Sequence, residues 1–95
     1  MKPPHPGETI KEDYLVPLGM SVSRLAGALG VGAARLNDIV RGKRGISADT
    51  ALRLARYFGT TAEFWLNLQS LYDLRMAERK ARRRIEREVN PLKVA

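Results

Sequence analysis

Cysteine is absent from the 95 residues, which excludes a disulfide framework, a thiolate metal site and a thiol nucleophile. Histidine occurs once, as His5 in a proline-rich opening, and reads there as a solvated or helix-entry residue rather than a ligand. No stretch approaches the roughly 20 apolar residues of a membrane span. The opening "MKPPHPGETIKEDY" also lacks the apolar run of a signal peptide, so a soluble, cytoplasmic chain is expected. There is no glycine-rich phosphate loop, and Glu12 and Asp13, being adjacent, point to different sides of a helix. With no convergent acid, base, nucleophile or metal ligands, neither an enzyme nor a bound metal or cofactor is expected. Strand signals are missing too, since no segment alternates apolar and polar residues with β-branched enrichment.

Acidic residues are the scarcer charge, ten against seventeen Lys and Arg, leaving a formal charge of +7. Residues 76–95 hold +4 of it and residues 1–75 hold +3, so both parts suit a polyanion; the plainer alternative is that the charge only aids solubility. Helical spacing recurs from end to end, predicting one all-α domain of five helices. Pro6, followed by Glu8, opens helix one at about 6–16, with Ile10, Tyr14 and Leu15 on its apolar side and Pro17 and Gly19 as stops. Ser21 caps helix two, which carries Leu25, Ala26 and Leu29 and ends at Gly30. Helix three runs from about 33 to 41 with Leu36, Ile39 and Val40 inward and Gly42 as terminator. Ser47 caps helix four, where Ala51, Leu52, Leu54, Ala55 and Phe58 repeat at helical spacing until Gly59.

Helix five starts at Thr60 or Thr61 and meets no glycine or proline until Pro91. Phe64, Trp65, Leu68, Leu71 and Tyr72 form an apolar face, with Trp65 assigned to the core and its indole N–H to a carbonyl or water. Beyond Leu74 only Ala77, Ala81, Ile85 and Val89 remain on a thin stripe amid "ERKARRRIERE". The organisation expected is therefore a domain over 1–78 and a basic helical extension and tail over 79–95, with protruding last turns and a disordered end from Asn90.

Helices two and three have the pattern of a helix-turn-helix. A small residue must sit where the two helices cross and a glycine must follow four positions on, as Ala26 and Gly30 do, while Leu36 and Ile39 face back toward Leu25, Leu29 and Val31. The outward side of helix three is then Ala33, Ala34, Arg35, Asn37, Asp38 and Arg41, with its N-terminal end directed at the major groove. Ala33 and Ala34 offer only methyl contacts and close approach. Asn37 suits adenine, Arg35 guanine or a phosphate, and Asp38 either accepts from cytosine or orients Arg35 or Arg41; the alternative for Arg35 and Asp38 is an ordinary solvated helix charge. Ser21 with the first amides of helix two, and Arg41, Lys43, Arg44 and the Gly45 amide, are the expected phosphate contacts.

"HPGE" at 5–8, "PLG" at 17–19, "ALGV" at 28–31 and "RGKRGISADTALRLARYFGTTAEFWLNLQSLYDLR" at 41–75 closely resemble the HigA antitoxins, a VapI-like branch of the lambda-repressor-like helix-turn-helix proteins. The resemblance covers about residues 5–78 and implies a homodimeric repressor that binds a palindromic operator, autoregulates its operon and neutralises a HigB toxin, a RelE-type ribosome-dependent endoribonuclease. Such a protein would be nucleoid-associated when DNA-bound. The DNA-facing positions it implies are Gly32, Ala33, Ala34, Arg35, Asn37, Asp38, Arg41 and Lys43. It also implies that helix five contributes to the dimer, so that Phe64, Trp65, Leu68, Leu71 and Tyr72 divide between core and interface. At 32–34 this chain departs from the common Ser cap followed by polar residues. Two other readings compete: a solitary regulator without a toxin, and an inhibitor whose working surface is helix one or the long C-terminal helix rather than the loop 41–45.

Overall fold

The structure, a computed structural model, describes residues 4–93, and every regular element in it is helical. Helix α1 covers residues 6–18 as one continuous run: α-helical over Pro6–Thr9, π-helical over Ile10–Leu15 and α-helical again over Val16–Leu18. It is followed by α2 (Val22–Leu29), α3 (Ala33–Val40), α4 (Ala48–Phe58) and α5 (Ala62–Glu88).

Local chemistry sets most boundaries. Ser21, Ser47 and Thr61 each accept a backbone N–H from three residues on, at 3.1, 3.3 and 3.1 Å, so three of the helices start where a hydroxyl satisfies a first-turn amide. Thr61 is thus the cap of α5, and Thr60 serves otherwise: its hydroxyl accepts the Trp65 indole N–H at 2.8 Å, in place of the expected carbonyl or water.

Helix α1 departs from expectation at Pro17, which does not stop it. The Val16 N–H reaches back five residues to the Lys11 carbonyl, and this wider π turn directly precedes the proline. In a regular helix a proline ring presses on the carbonyl four residues earlier; widening the preceding turn relieves that clash, and the chain continues to Leu18.

The core joins all five helices through Ile10, Leu15, Leu25, Ala26, Leu29, Leu36, Ile39, Ala51, Leu54 and Trp65, with Ile46 from the loop before α4. Trp65 is 0% exposed, as its assignment to the core required, and Tyr14 and Phe58 lie beside it with ring centroids 4.1 Å apart. Each fully buried large apolar side chain contributes about 1.5–3 kcal/mol relative to exposure. Leu52, one of the apolar residues at helical spacing, is 63% exposed: the buried positions of α4 are Thr50, Ala51 and Leu54, and Leu52 falls on the opposite side of the turn.

One contact sets how α1 meets α3. A β-carbon on Gly7 would lie 2.0 Å from the Ile39 carbonyl oxygen, so the first turn of α1 sits directly on the backbone at the C-terminal end of α3. Helix α3 is therefore seated from behind by backbone. Beyond the domain body α5 continues unbroken to Glu88, and its 27 residues span about 40 Å. Residues 89–93 follow without regular structure; Val94 and Ala95 of the expected tail lie outside the described residues.

Candidate nucleic-acid interface

Ala26, 2% exposed, lies at the crossing of α2 and α3, where a longer side chain would force the helices apart. Gly30 follows with φ +71°, and the amides of Gly30 and Val31 return to the carbonyls of Gly27 and Ala26, closing α2 with a left-handed turn. Arg53 fastens this turn from α4, its Nη1 donating to the Leu29 carbonyl at 2.9 Å while Nε bonds Asp49. Leu36 and Ile39 are buried against α2, which obliges the other side of α3 to face outward.

All ten sequence-predicted residues lie at the surface. Ser21, Gly32, Ala33, Ala34, Arg35, Asn37, Arg41, Lys43 and Arg44 are exposed and Asp38 is half-buried. Ser21, Asn37 and Arg41 line one shallow groove with Val22 and Val40, so the start of α2 and the outer side of α3 form a common face. The Ser21 oxygen accepts from the Arg24 N–H, which leaves the hydroxyl proton to be donated outward. Among the described residues, Arg35, Arg41, Lys43 and Arg44 take part in no ion pair, and Asp38 is joined to neither Arg35 nor Arg41. Four cations without carboxylates create a positive field at this face. At the head of α3, the cap residue Gly32 has no side chain to bond the first-turn amides, and with Ala33 and Ala34 it keeps this end of the helix slim.

The basic loop has a defined shape. Gly42, at φ +77°, turns the chain out of α3 while the amides of Gly42 and Lys43 return to the carbonyls of Ile39 and Asp38. On its inner side stand three residues that sequence reasoning did not assign to the site. Gln69 on α5 accepts the Ile46 N–H at 2.8 Å through Oε1, and donates through Nε2 to Asp73 at 2.9 Å. His5 is buried rather than solvated: its Nδ1 accepts the Gly7 N–H at 2.9 Å, capping α1, and its ring stands edge-on to Tyr72 with centroids 4.7 Å apart. The helix-entry part of its expected role holds. The only sequence signal for Gln69 is a polar residue one turn after Trp65 on the inward side of a helix, where an amide needs partners.

The expected interface residues separate by position. Trp65 is core, Leu68 packs partly against it, and Tyr72 meets His5. Phe64 and Leu71 are 39% and 49% exposed, and with Leu74 they form an uncovered apolar strip on the outer side of α5.

The helix-turn-helix family profile matches residues 10–65, which include α2, α3 and the basic loop. Virulence-associated protein I of Dichelobacter nodosus is 61% identical over 74 residues, 78% of this chain and 68% of that protein's length. Among solved structures, the Pseudomonas aeruginosa antitoxin HigA with the higBA promoter is 50% identical, covers 96% of this chain and 99% of its own, and superposes with a TM-score of 0.93. A Pseudomonas aeruginosa protein in complex with its 18-base-pair operator DNA is likewise 50% identical, with 99% of both chains covered and a TM-score of 0.92, so the likeness extends along the whole of α5. An outward-facing helix backed by the core, a basic loop without acid partners among the described residues, and these likenesses agree: the chain belongs to the HigA antitoxin family of helix-turn-helix proteins.

Proposed function

We propose that this protein is the DNA-binding antitoxin of a toxin–antitoxin pair, acting as a homodimer that represses its own operon. The observation that carries this reading is the face made by α2, α3 and the loop 41–45, where Arg35, Arg41, Lys43 and Arg44, without ion-pair partners among the described residues, stand beside the exposed side of a firmly seated helix. The Pseudomonas aeruginosa antitoxin HigA was solved with the higBA promoter, which supports operator DNA as the polyanion.

Ser21, Arg41, Lys43 and Arg44 bind phosphates and set the register, and the N-terminal end of α3 enters the major groove. Base reading falls to Arg35 and Asn37, with Asp38 beside them, while Gly32, Ala33 and Ala34 let the helix approach and touch thymine methyls. With few reading side chains, affinity comes chiefly from charge and dimer spacing, and part of the selectivity from DNA shape. The uncovered strip Phe64, Leu71 and Leu74 on α5 supports a two-fold dimer, which would present two reading helices about 34 Å apart to a palindromic operator. Membership of the HigA family supports a HigB-type endoribonuclease as the partner neutralised by direct binding. Residues 79–95 form a basic extension to which this reading gives no DNA-reading role.

The test is an electrophoretic mobility shift with the upstream region, comparing the parent with Arg41→Ala/Lys43→Ala/Arg44→Ala. Unchanged affinity and salt dependence in the triple variant would remove the loop from the reading. Co-expression with the neighbouring reading frame tests the toxin: a small basic RelE-like protein that co-purifies supports the antitoxin role, and the absence of such a frame favours a solitary regulator.

A further inference from the structure

The phosphate-binding reading needs more than exposed cations, because a loop that samples many shapes must be ordered, at a cost, each time it binds. We propose that Gln69 of α5 is the positioning residue of the basic loop, holding residues 42–46 in the shape that presents Arg41, Lys43 and Arg44 to DNA. The inference deepens the DNA-binding reading and rests on it.

Three observations converge on Gln69. Its Oε1 takes the Ile46 N–H at 2.8 Å, a side-chain bond that reaches the loop from 23 residues away. Its other end is fixed, since Nε2 donates to Asp73 at 2.9 Å one turn later on the same helix. Gly45 lies flat on the amide: a β-carbon there would be 3.2 Å from Cδ, Nε2 and Oε1 alike. Lys43 and Arg44 border the same shallow depression as Gln69 and Asp73, so the amide stands directly behind the cations. His5 closes the other end, its ring 3.7–4.0 Å from where a Gly42 β-carbon would be. Gln69 acts through the loop backbone, and Trp65, one turn earlier and fully buried, anchors the helix that carries it in the core.

The experiment measures operator affinity against salt concentration, with thermal melting alongside, for five variants of the full chain, the fifth combining Gln69→Leu with the loop triple. Gln69→Leu removes the acceptor while keeping bulk. The exchange Gln69→Glu/Asp73→Asn preserves net charge and both hydrogen bonds, because the carboxylate now at position 69 accepts from the Ile46 N–H and the amide now at position 73 donates to it. Gly45→Ala displaces the amide while leaving Gln69 in place. Arg41→Ala/Lys43→Ala/Arg44→Ala removes the loop cations.

If Gln69 positions the loop, Gln69→Leu weakens binding about 3–10-fold and makes the log–log salt slope shallower by about 2, as when each loop of a dimer releases roughly one phosphate. The exchange restores both, Gly45→Ala moves both in the same direction by less, and Gln69→Leu adds nothing in the cation-free background. A purely structural role would lower the melting temperature and leave the salt slope of the folded protein alone. Should Gln69→Leu fail to fold, Gly45→Ala carries the test, and an unaltered slope there overturns the proposal. A parent-like slope in Gln69→Leu, while the cation-free triple variant binds weakly, overturns the positioning role and leaves the DNA-binding reading intact. A triple variant that binds like the parent overturns both.

Discussion

Residues 41–45 place three cations in five positions, and residues 79–88 place six in ten, yet the two segments are built in opposite ways. The loop is held by tertiary contacts along its inner side: Gly42 against His5, Gly45 against Gln69, and Ile46 bonded to Gln69, behind a reading helix seated on Gly7. Its cations have no acid partners among the described residues. The extension is a bare helix whose order comes from its own turns, and part of its charge is neutralised internally: Glu78 bonds both Arg75 and Arg82, and Arg84 lies 3.8 Å from Glu88. Equal basicity is thus not equal readiness for phosphate. A fixed, unpaired cation gains from a polyanion what a solvated, internally paired one has partly lost already.

The sharpest way to break this comparison is to remove equal charge from each segment. Arg41→Ala/Lys43→Ala/Arg44→Ala should weaken operator binding on the order of 10²–10³-fold and flatten the salt slope by up to about 5, if a dimer then leaves six phosphates without a cation. Arg79→Ala/Lys80→Ala/Arg83→Ala removes the same charge from residues outside the ion pairs of the described residues and should cost less than about threefold, through long-range attraction alone. Equal losses in the two triples, measured by fluorescence anisotropy on one operator, would mean that net charge and not placement governs binding.

The seat of the reading helix gives the next largest effect. Gly7→Ala puts a methyl into the Ile39 carbonyl, an overpacking against backbone that should destabilise the fold by about 1–3 kcal/mol in urea unfolding. Arg87→Ala, on the extension and outside every ion pair of the described residues, should change stability by less than about 0.5 kcal/mol. A silent Gly7→Ala would show that α1 can shift on α3, and that the reading helix is less firmly backed than its contacts indicate.

What could be read in advance divides along the same line between local and distant chemistry. Ser21, Ser47, Thr61 and Gly30 act within four residues of themselves, so capping and turn rules place them correctly, and Leu36 and Ile39 follow from periodicity once the crossing at Ala26 is fixed. The outward face of α3 follows by subtraction. The supports of that face are illegible in the sequence because each joins residues far apart in the chain: Gly7 to Ile39, Arg53 to Leu29, Gln69 to Ile46. None has a period, and none uses a residue type that announces its partner. Leu52 shows the reverse case, an apolar residue at helical spacing that the turn directs to solvent. The π turn before Pro17 is equally unreadable, since a proline alone does not say whether the chain will stop or widen.

The smallest expected effect tests whether the extension owes its helicity to its own charges. Among the described residues, Glu78 is the one carboxylate bonded to two arginines, three residues after Arg75 and four before Arg82. Pairs of this spacing on an exposed helix contribute about 0.2–0.5 kcal/mol each. Glu78→Ala loses both pairs but places the best helix former at the site, which offsets part of the loss, so global stability should fall by less than about 0.5 kcal/mol. The local effect is more telling. In a helix without tertiary support, opening is governed by a few tenths of a kcal/mol, and amide exchange over 79–88 should quicken by about twofold while the amides of Gly42, Lys43 and Ile46 keep their rates. Raising the salt concentration should erase most of the difference between parent and variant over 79–88. Strong protection of 79–88 that neither the substitution nor salt alters would instead place this stretch against a partner surface, and the contrast between the two basic segments would then hold only for the isolated chain.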